Sequence, residues 1–383
     1  MKKTLAAVAV LGAFAGSAMA ANVELYGSVS TGLVYTHTKS AYTFTEIEGS
    51  GDNKVAKYGK NAATNRLSME SAWAGDSVFG LTGEEELGNG WKVGFALENE
   101  FSSDTGALAT DGTLFDSMSY LWVGNDTVKI AAGNLGGTLA SAGGDFDLVG
   151  GFDPLEAAYG NGGMGLFATR DMAVANAIDV ELTPIDGLKF SFQMSLEDDS
   201  SETGWGRQEH YYGLGAAYEN GPLAVSAVAE RVTVANTSDD KSAGMYTIGA
   251  SWDFEFVKPT FMYQHTEQLG LSAFCDGLFE DIIPVEDDEV YDIATKTDSF
   301  LLGATAPLGD GTLGVSAQYA KIKFVDSEID NGKAWVFGVA YNYELSKRTS
   351  LYAAGVYSKG QDSLKEVGAV NNYQIGFGLN HTF

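Results

Sequence analysis

Basic residues are scarce in this chain: 23 Lys and Arg stand against 51 Asp and Glu in 383 residues, a formal net charge of −28. That deficit excludes nucleic acid as a partner, because gripping a phosphate backbone takes clustered cations that release its counterions. Cysteine is nearly absent, and Cys275 alone supports neither an internal disulfide framework nor a multi-cysteine metal site. Proline is limited to 6 residues, and no stretch of about 20 apolar residues occurs that would cross a bilayer as a helix. The histidines are few and scattered (His37, His210, His265, His381), with no H-E-x-x-H, no G-x-S-x-G and no phosphate loop, so nothing marks an enzyme. What is plentiful is glycine, 48 residues, with 18 Tyr and 21 Phe. At 45% hydrophobic and 12% aromatic the chain is too apolar for disorder, and its composition is that of strands and turns.

Met1 to Ala20 has the three parts of a secretory signal: Lys2 and Lys3 at the start, an apolar run from Leu5 to Phe14, and Ala18-Met19-Ala20 as an A-x-A cleavage site. The run is too short to span about 30 Å of hydrocarbon as a helix, so residues 1–20 are expected to be removed and 21–383 to form one domain. Losing the two leader lysines leaves 21 basic and 51 acidic residues, a net of −30.

Period-2 alternation then recurs in segments of about ten residues, the length a tilted strand needs to cross a bilayer. Val23, Leu25, Val29, Leu33 and Tyr35 share one face, with Glu24, Ser28 and Ser30 on the other. Near the end, Trp335, Phe337, Val339, Tyr341 and Tyr343 repeat the pattern, as do Tyr373, Ile375, Phe377, Leu379 and Phe383. Short turn signals (Gly88-Asn89-Gly90, Asn125-Asp126-Thr127, Asp186-Gly187, Asn220-Gly221-Pro222, Gly309-Asp310-Gly311, Ser346-Lys347-Arg348) are interspersed with long polar connections at 36–76, 135–163, 197–210 and 269–298. Strand starts fall near Val23, Ser77, Trp91, Ser117, Thr127, Asn176, Leu188, Tyr211, Leu223, Tyr246, Val257, Ser299, Thr312, Trp335, Thr349 and Asn372, an even number of sixteen. The expected fold is all-β: a transmembrane antiparallel barrel with short periplasmic turns and long extracellular loops. A soluble exported β-sandwich of lectin type shares the alternation, but apolar faces ending in aromatics argue for lipid.

Several of these segments, Val23-Glu24-Leu25-Tyr26-Gly27, Gly83 to Lys92, Ser346-Lys347-Arg348-Thr349 and the terminal Gly378 to Phe383, resemble the general porins of Gram-negative bacteria, especially the β-proteobacterial type. His381 departs from the aromatic usual in that ending, while Phe383 keeps the terminal barrel signal. The resemblance implies an outer-membrane channel for passive diffusion of small hydrophilic solutes and ions, usually a homotrimer embedded in outer-membrane lipid, with no cofactor. It also implies that the third long loop folds into the pore.

That loop is 135–163, and Asp145, Asp147, Asp153 and Glu156 are its candidates for the acidic side of a constriction. Asp153-Pro154-Leu155-Glu156 has the N-cap, first-turn proline and capping-box glutamate of a single helical turn. The arginine ladder implied by the family is depleted: Val78, Ser117 or a neighbour, and Asn134 stand at positions where arginines are usual. Of 5 arginines, Arg66 and Arg170 are the candidates to reach the lumen; Lys92, Lys129, Lys189 and Lys258 fall on the inward face near short turns, as a basic periplasmic rim. The connection 269–298 carries nine acidic residues against Lys296 alone. Charged rings set the sign of permeant ions, so the expectation is a cation-preferring or weakly selective pore. Those outer carboxylates suit loose Ca²⁺ or Mg²⁺ binding but show no defined metal site. A loop-mediated surface adhesin or a structural barrel shares the fold and is the alternative function.

Overall fold

The computed structural model describes residues 22–40, 42–48, 55–60, 63–141, 146, 148–156, 158–159, 165–168, 174–196, 210–233, 241–270, 285–286, 289–290, 294–325, 330–366 and 369–383. The leader segment 1–20 and Cys275 lie outside them. Strands follow one another along the chain: β1 (Asn22–Ser40), β2 (Tyr42–Glu48), β3 (Val55–Lys60), β4 (Ala63–Ser71), β5 (Val78–Gly88), β6 (Trp91–Glu100), β7 (Met118–Gly124) and β8 (Val128–Asn134). After the helical turn α1 (Leu148–Gly151) come β9 (Ala177–Ile185), β10 (Leu188–Ser195), β11 (His210–Asn220), β12 (Leu223–Thr233), β13 (Ala243–Trp252) and β14 (Lys258–Gly270). The last third holds β15 (Val285–Glu286), β16 (Glu289–Val290), β17 (Ala294–Leu308), β18 (Gly311–Phe324), β19 (Gly332–Ser346) and β20 (Thr349–Asp362). A turn α2 (Ser363–Glu366) and β21 (Ala369–Thr382) complete it.

Seventeen of these strands form one antiparallel sheet, paired in chain order apart from β4 and β5, and β1 closes it by pairing with β21 from Ser28↔Thr382 to Ser40↔Ala369. On its other side β1 pairs with β4 along its outer half (Thr31↔Ser71 to Lys39↔Ala63) and with β5 along its inner half (Asn22↔Glu84 to Ser28↔Val78). Thus β4 and β5 share one wall position, and the seventeen strands make a closed sixteen-position barrel. No helix among the described residues is long and apolar enough to cross a membrane.

Parity explains the wall. Leu25, Leu121, Leu214, Leu302, Ile375 and Phe377 are each more than half exposed, a contiguous apolar outside. Their alternates Ser30, Ser191, Thr247, Gln264, Thr297 and Ser358 are buried on the inner face. Aromatics border the apolar band at both ends, with Tyr35, Phe300, Tyr319, Trp335 and Tyr357 on the long-loop side and Trp91, Tyr218, Trp252 and Tyr343 near the turns, as in interfacial girdles.

The segment 36–76, read from sequence as one long loop, is mostly strand: β1 runs to Ser40, β2 and β3 form a hairpin, and β4 is barrel wall. Only Leu67 and Met69 mark the lipid side of β4, too few to stand out locally, and the pairing with β1 decides the conformation. A seventh tight turn, 253–257, also escaped notice because it has no glycine; Glu255 takes the left-handed backbone instead (φ 70°).

The seam is finished by Phe383, whose N–H donates to Gly27 O at 2.9 Å while Gly27 N–H donates to Phe383 O at 3.2 Å. A Cβ at Gly27 would come within 2.5 Å of the Phe383 ring and of Val78 O. Gly27→Val is therefore expected to cost roughly 1–3 kcal/mol by overpacking. Denaturant unfolding of the detergent-refolded barrel measures it, and Phe383→Ala should also destabilise through lost apolar contact.

Candidate functional site: inserted loop and lumen wall

The described residues of the connection from β8 to β9 stay inside the barrel. Leu139, Leu148, Phe152 and Phe167 pack on the inward-facing Val228, Met262 and Leu301, and Leu155 and Leu166 join Ile322 and Val336 further round. Backbone can lie this close to a sheet only where side chains are missing, and the wall supplies that floor. A Cβ at Gly215 would sit 2.2 Å from the Phe146 ring, at Gly249 2.8 Å from Leu148 and Phe152, and at Gly314 2.2 Å from Pro154 O. Inward polar side chains then take up the loop's backbone groups, as buried N–H and C=O groups require. Leu139 N–H donates to the Tyr211 hydroxyl (3.1 Å), which donates to Glu230 Oε1 (2.8 Å). Gln264 Oε1 accepts from Ala168 N–H at 2.7 Å while its Nε2 donates to Ala168 O at 2.9 Å. Leu166 N–H donates to Gln318 Oε1 at 3.1 Å, and the Ser299 hydroxyl donates to Leu166 O.

The loop's far end meets a second inward feature that the sequence did not announce. Between β4 and β5, residues 72–77 leave the wall, with Ala72 (φ 56°) and Gly75 (φ 131°) in left-handed geometry. Trp73 turns inward, edge-on to Tyr159 (centroids 5.4 Å) and tilted against Tyr352 (6.0 Å), while Tyr159 N–H donates to Trp73 O at 2.6 Å. The interrupted ladder is repaired by Ser77, whose hydroxyl accepts from Ser30 N–H (3.0 Å) and donates to Ser30 O (3.2 Å). Burial first, then the Glu156 charge, pushes the Tyr159 hydroxyl up, so it stays a neutral phenol.

With the loop lying along β11 to β19, the open side of the lumen is the wall from β5 to β9. Register places Val78, Gly80, Thr82 and Glu84 of β5 inward opposite Glu100, Glu98, Ala96 and Gly94 of β6, and Tyr120 and Trp122 of β7 beside them. Tyr26 donates its hydroxyl to Glu98, which also accepts from Ser117 Oγ at 2.6 Å. Asp116 is bound into the adjoining connection, accepting from Glu100 N–H (3.1 Å) and Thr110 N–H (2.9 Å), and Asn134 Nδ2 donates to Asp116 O (3.0 Å). Val78, Ser117 and Asn134, the positions where the sequence lacks arginine, thus surround a group of carboxylates that sequence reasoning missed. Barrel register alone brings β5, β6 and the start of β7 together there.

The remaining candidates are dispersed. Asp153 is 3% exposed, and its Oδ1 accepts from Leu155 N–H at 3.1 Å, so it caps a turn rather than facing open water. Glu156 is exposed, next to a recess edged by Thr312, Asn342, Glu344 and Asn380. Asp145, Asp147 and Arg170 lie outside the described residues. Arg66 is inward on β4 but near the outer end, mostly exposed and paired with Glu70 at 2.9 Å. Lys92, Lys129 and Lys189 gather on the inner wall near the short turns, interleaved with acids: Lys92 with Glu84 (2.8 Å) and Glu86 (3.3 Å), Lys189 with Glu181 (3.8 Å). Lys129 sits opposite Glu181 in register, and Lys258 stands apart on β14 opposite Thr305. Among the described residues no three His, Cys, Asp or Glu side chains gather to hold a metal.

A protein-family model described as Gram-negative porin matches residues 6–363. An outer membrane porin protein of Bordetella pertussis is 28% identical over 422 residues, spanning 100% of both chains. Outer membrane porin protein 32 of Delftia acidovorans is 29% identical over 95% of this chain and 91% of its own. Among solved structures, the anion-selective porin from Comamonas acidovorans superposes with a TM-score of 0.66 at 23% identity, covering 95% of this chain and 100% of that one. Closed antiparallel barrel, inserted loop and family match agree: this chain belongs to the Gram-negative porins, outer-membrane channels for passive passage rather than enzymes.

Proposed function

We propose that this porin is a general diffusion channel for small hydrophilic solutes with a preference for cations over anions. The observation that carries the reading is the wall opposite the loop, where Glu98 and Glu100 stand in place of a basic ladder and Lys92, the inward lysine of the same strand, is already paired with Glu84 and Glu86. A fixed negative wall raises the local concentration of cations and repels anions. The Comamonas porin's anion selectivity belongs to a chain 23% identical to this one, a likeness that extends to the fold and not to which charges line the lumen.

Reversal potential across a planar bilayer with a potassium chloride gradient tests it. Potassium is expected to outrun chloride, and Glu98→Gln with Glu100→Gln should move the ratio toward unity. Protonation removes the charge of the wall carboxylates, so the preference should weaken as pH falls from 7 toward 4. Anion preference at pH 7 overturns the proposal.

The loop is assigned the role of constriction because it occupies the inward faces of β11 to β19. Gly249→Leu removes part of its floor, since even a Cβ there meets Phe152 at 2.8 Å. Single-channel conductance of this variant should rise and become noisier; unchanged conductance with an intact barrel would speak against the loop as the limiting element.

The assembly assigned is a homotrimer of chains beginning at Ala21, the form in which porins usually occur; one solved relative, the Vibrio cholerae protein OmpT, is described in a trimer form. Intact mass of the exported protein should start at Ala21, and light scattering in mild detergent should give three chains per particle. A retained Met1 or a monomeric particle would sink the respective half of this assignment.

A further inference from the structure

In a chain so poor in cations, five lysines come together on the outside of the barrel. Lys321 on β18 is directly opposite Lys333 on β19, and Lys323 on β18 is directly opposite Lys296 on β17. Lys359 on β20 is opposite Trp335, one step round the wall. All five share the lipid-facing parity of Phe300, Tyr319, Trp335 and Tyr357, at the strand ends that lead to the long connections. Lys321 and Lys333 each lie two residues beyond an aromatic of the upper girdle, Tyr319 and Trp335, whose rings touch with centroids 4.4 Å apart. Two strand residues are about 7 Å, so these ammonium groups stand at headgroup depth, just past the hydrocarbon edge marked by the rings.

Like charges directly opposite in a ladder repel, and here two such pairs are adjacent. Internal acids answer only part of the charge. Lys296 reaches Glu267 at 3.1 Å and Lys333 reaches Asp362 at 3.0 Å. Asp298, the carboxylate opposite Lys321, has its Oδ1 taken up by His265 Nδ1 at 2.8 Å and by the Tyr263 hydroxyl, which donates to it at 2.8 Å. Among the described residues neither Lys323 nor Lys359 has an ion-pair partner, and Lys321 has only the more distant Asp298 charge. The repulsion is relieved if an external anion bridges the pairs, and lysine, a flexible point charge, suits phosphate oxygens arriving at the membrane surface.

We propose that Lys321, Lys323, Lys333 and Lys296, with Lys359, form a binding strip for the phosphate of an anionic lipid headgroup in the outer leaflet, held against the Tyr319 and Trp335 rings. A lipid rather than free phosphate is the occupant because the strip lies on the lipid-facing side, bordered below by exposed Phe337 and Leu302 that would contact an acyl chain.

The test is native mass spectrometry of the full barrel in detergent with dioleoyl phosphatidic acid or dioleoyl phosphatidylcholine. Phosphatidic acid should be retained at least about tenfold better, and Lys321→Gln with Lys323→Gln should weaken it by about fivefold per charge removed. Lys321→Arg with Lys323→Arg should keep it. Thermal unfolding separates this from a folding defect: in lipid-free detergent the glutamine variant should be as stable as the native protein or more so, because repulsion is relieved. With phosphatidic acid the native protein and the arginine variant should gain more stability than the glutamine variant. Equal retention of the two lipids, or a glutamine variant that binds phosphatidic acid like the native chain, overturns the proposal. Displacement of the lipid by millimolar inorganic phosphate overturns the choice of a lipid headgroup.

Discussion

Everything in this structure depends on satisfying the backbone. Within hydrocarbon there is no water to take an unpaired N–H or C=O, and each one left open costs several kcal/mol, so a sheet that crosses a bilayer must close on itself. Here closure is the β1–β21 ladder, carried by hydrogen bonds to the terminal residue, where Gly27 and Phe383 exchange their peptide groups. The same demand explains Ser77, which substitutes for the ladder where residues 72–77 leave the wall. It also explains why the inserted loop meets glutamines, a tyrosine and a serine on the inner wall. A loop lying on a sheet whose own bonds are complete has to find partners in side chains.

The loop and the wall therefore solve one problem together. Apolar side chains of the loop need cover, which Met262, Leu301 and Ile322 provide; its backbone needs room, which Gly215, Gly249 and Gly314 provide; its polar groups need partners, which Tyr211, Gln264 and Gln318 provide. An inner face of small, polar and apolar residues mixed on one parity has no use in a simple water-filled tube. It is the imprint of the segment that covers it: Glu230 beneath the loop is held by Tyr211 and Ala140 N–H, while Glu98, Glu100, Lys92 and Lys129 stand on the uncovered side.

The barrel was legible in the sequence because parity is local: each lipid-facing residue announces its strand without reference to any other. Strand number, the order of short turns and long connections, and the inward placement of Lys92, Lys129, Lys189 and Lys258 all follow from counting by twos. The failures are where the deciding interaction lies far off in the chain. β4 is strand because β1 is beside it, not because ATNRLSMES alternates strongly. Trp73 looked like part of a loop; its role comes from Tyr159 and Tyr352, 86 and 279 residues away. Asp153 had the right spacing for a cap and also the right charge for a constriction, and hydrogen bonding to Leu155 settled it for the cap.

Charge shows the same division. Summed over the chain, the acid excess says only that phosphate backbones are avoided. The barrel sorts the charges by parity and height, so that each surface carries its own mixture of acids and bases. On β6, Glu98 and Glu100 face inward, whereas the lysines of β17 to β20 face outward beyond the aromatic girdle. A strand can serve both surfaces at once because adjacent residues point to opposite sides. On β18, Ile322 is fully buried beneath the loop while its neighbours Lys321 and Lys323 point away from it. The inward and outward surfaces can thus be changed independently by substitutions one residue apart, a separation that a helix, with its single covered stripe, does not offer.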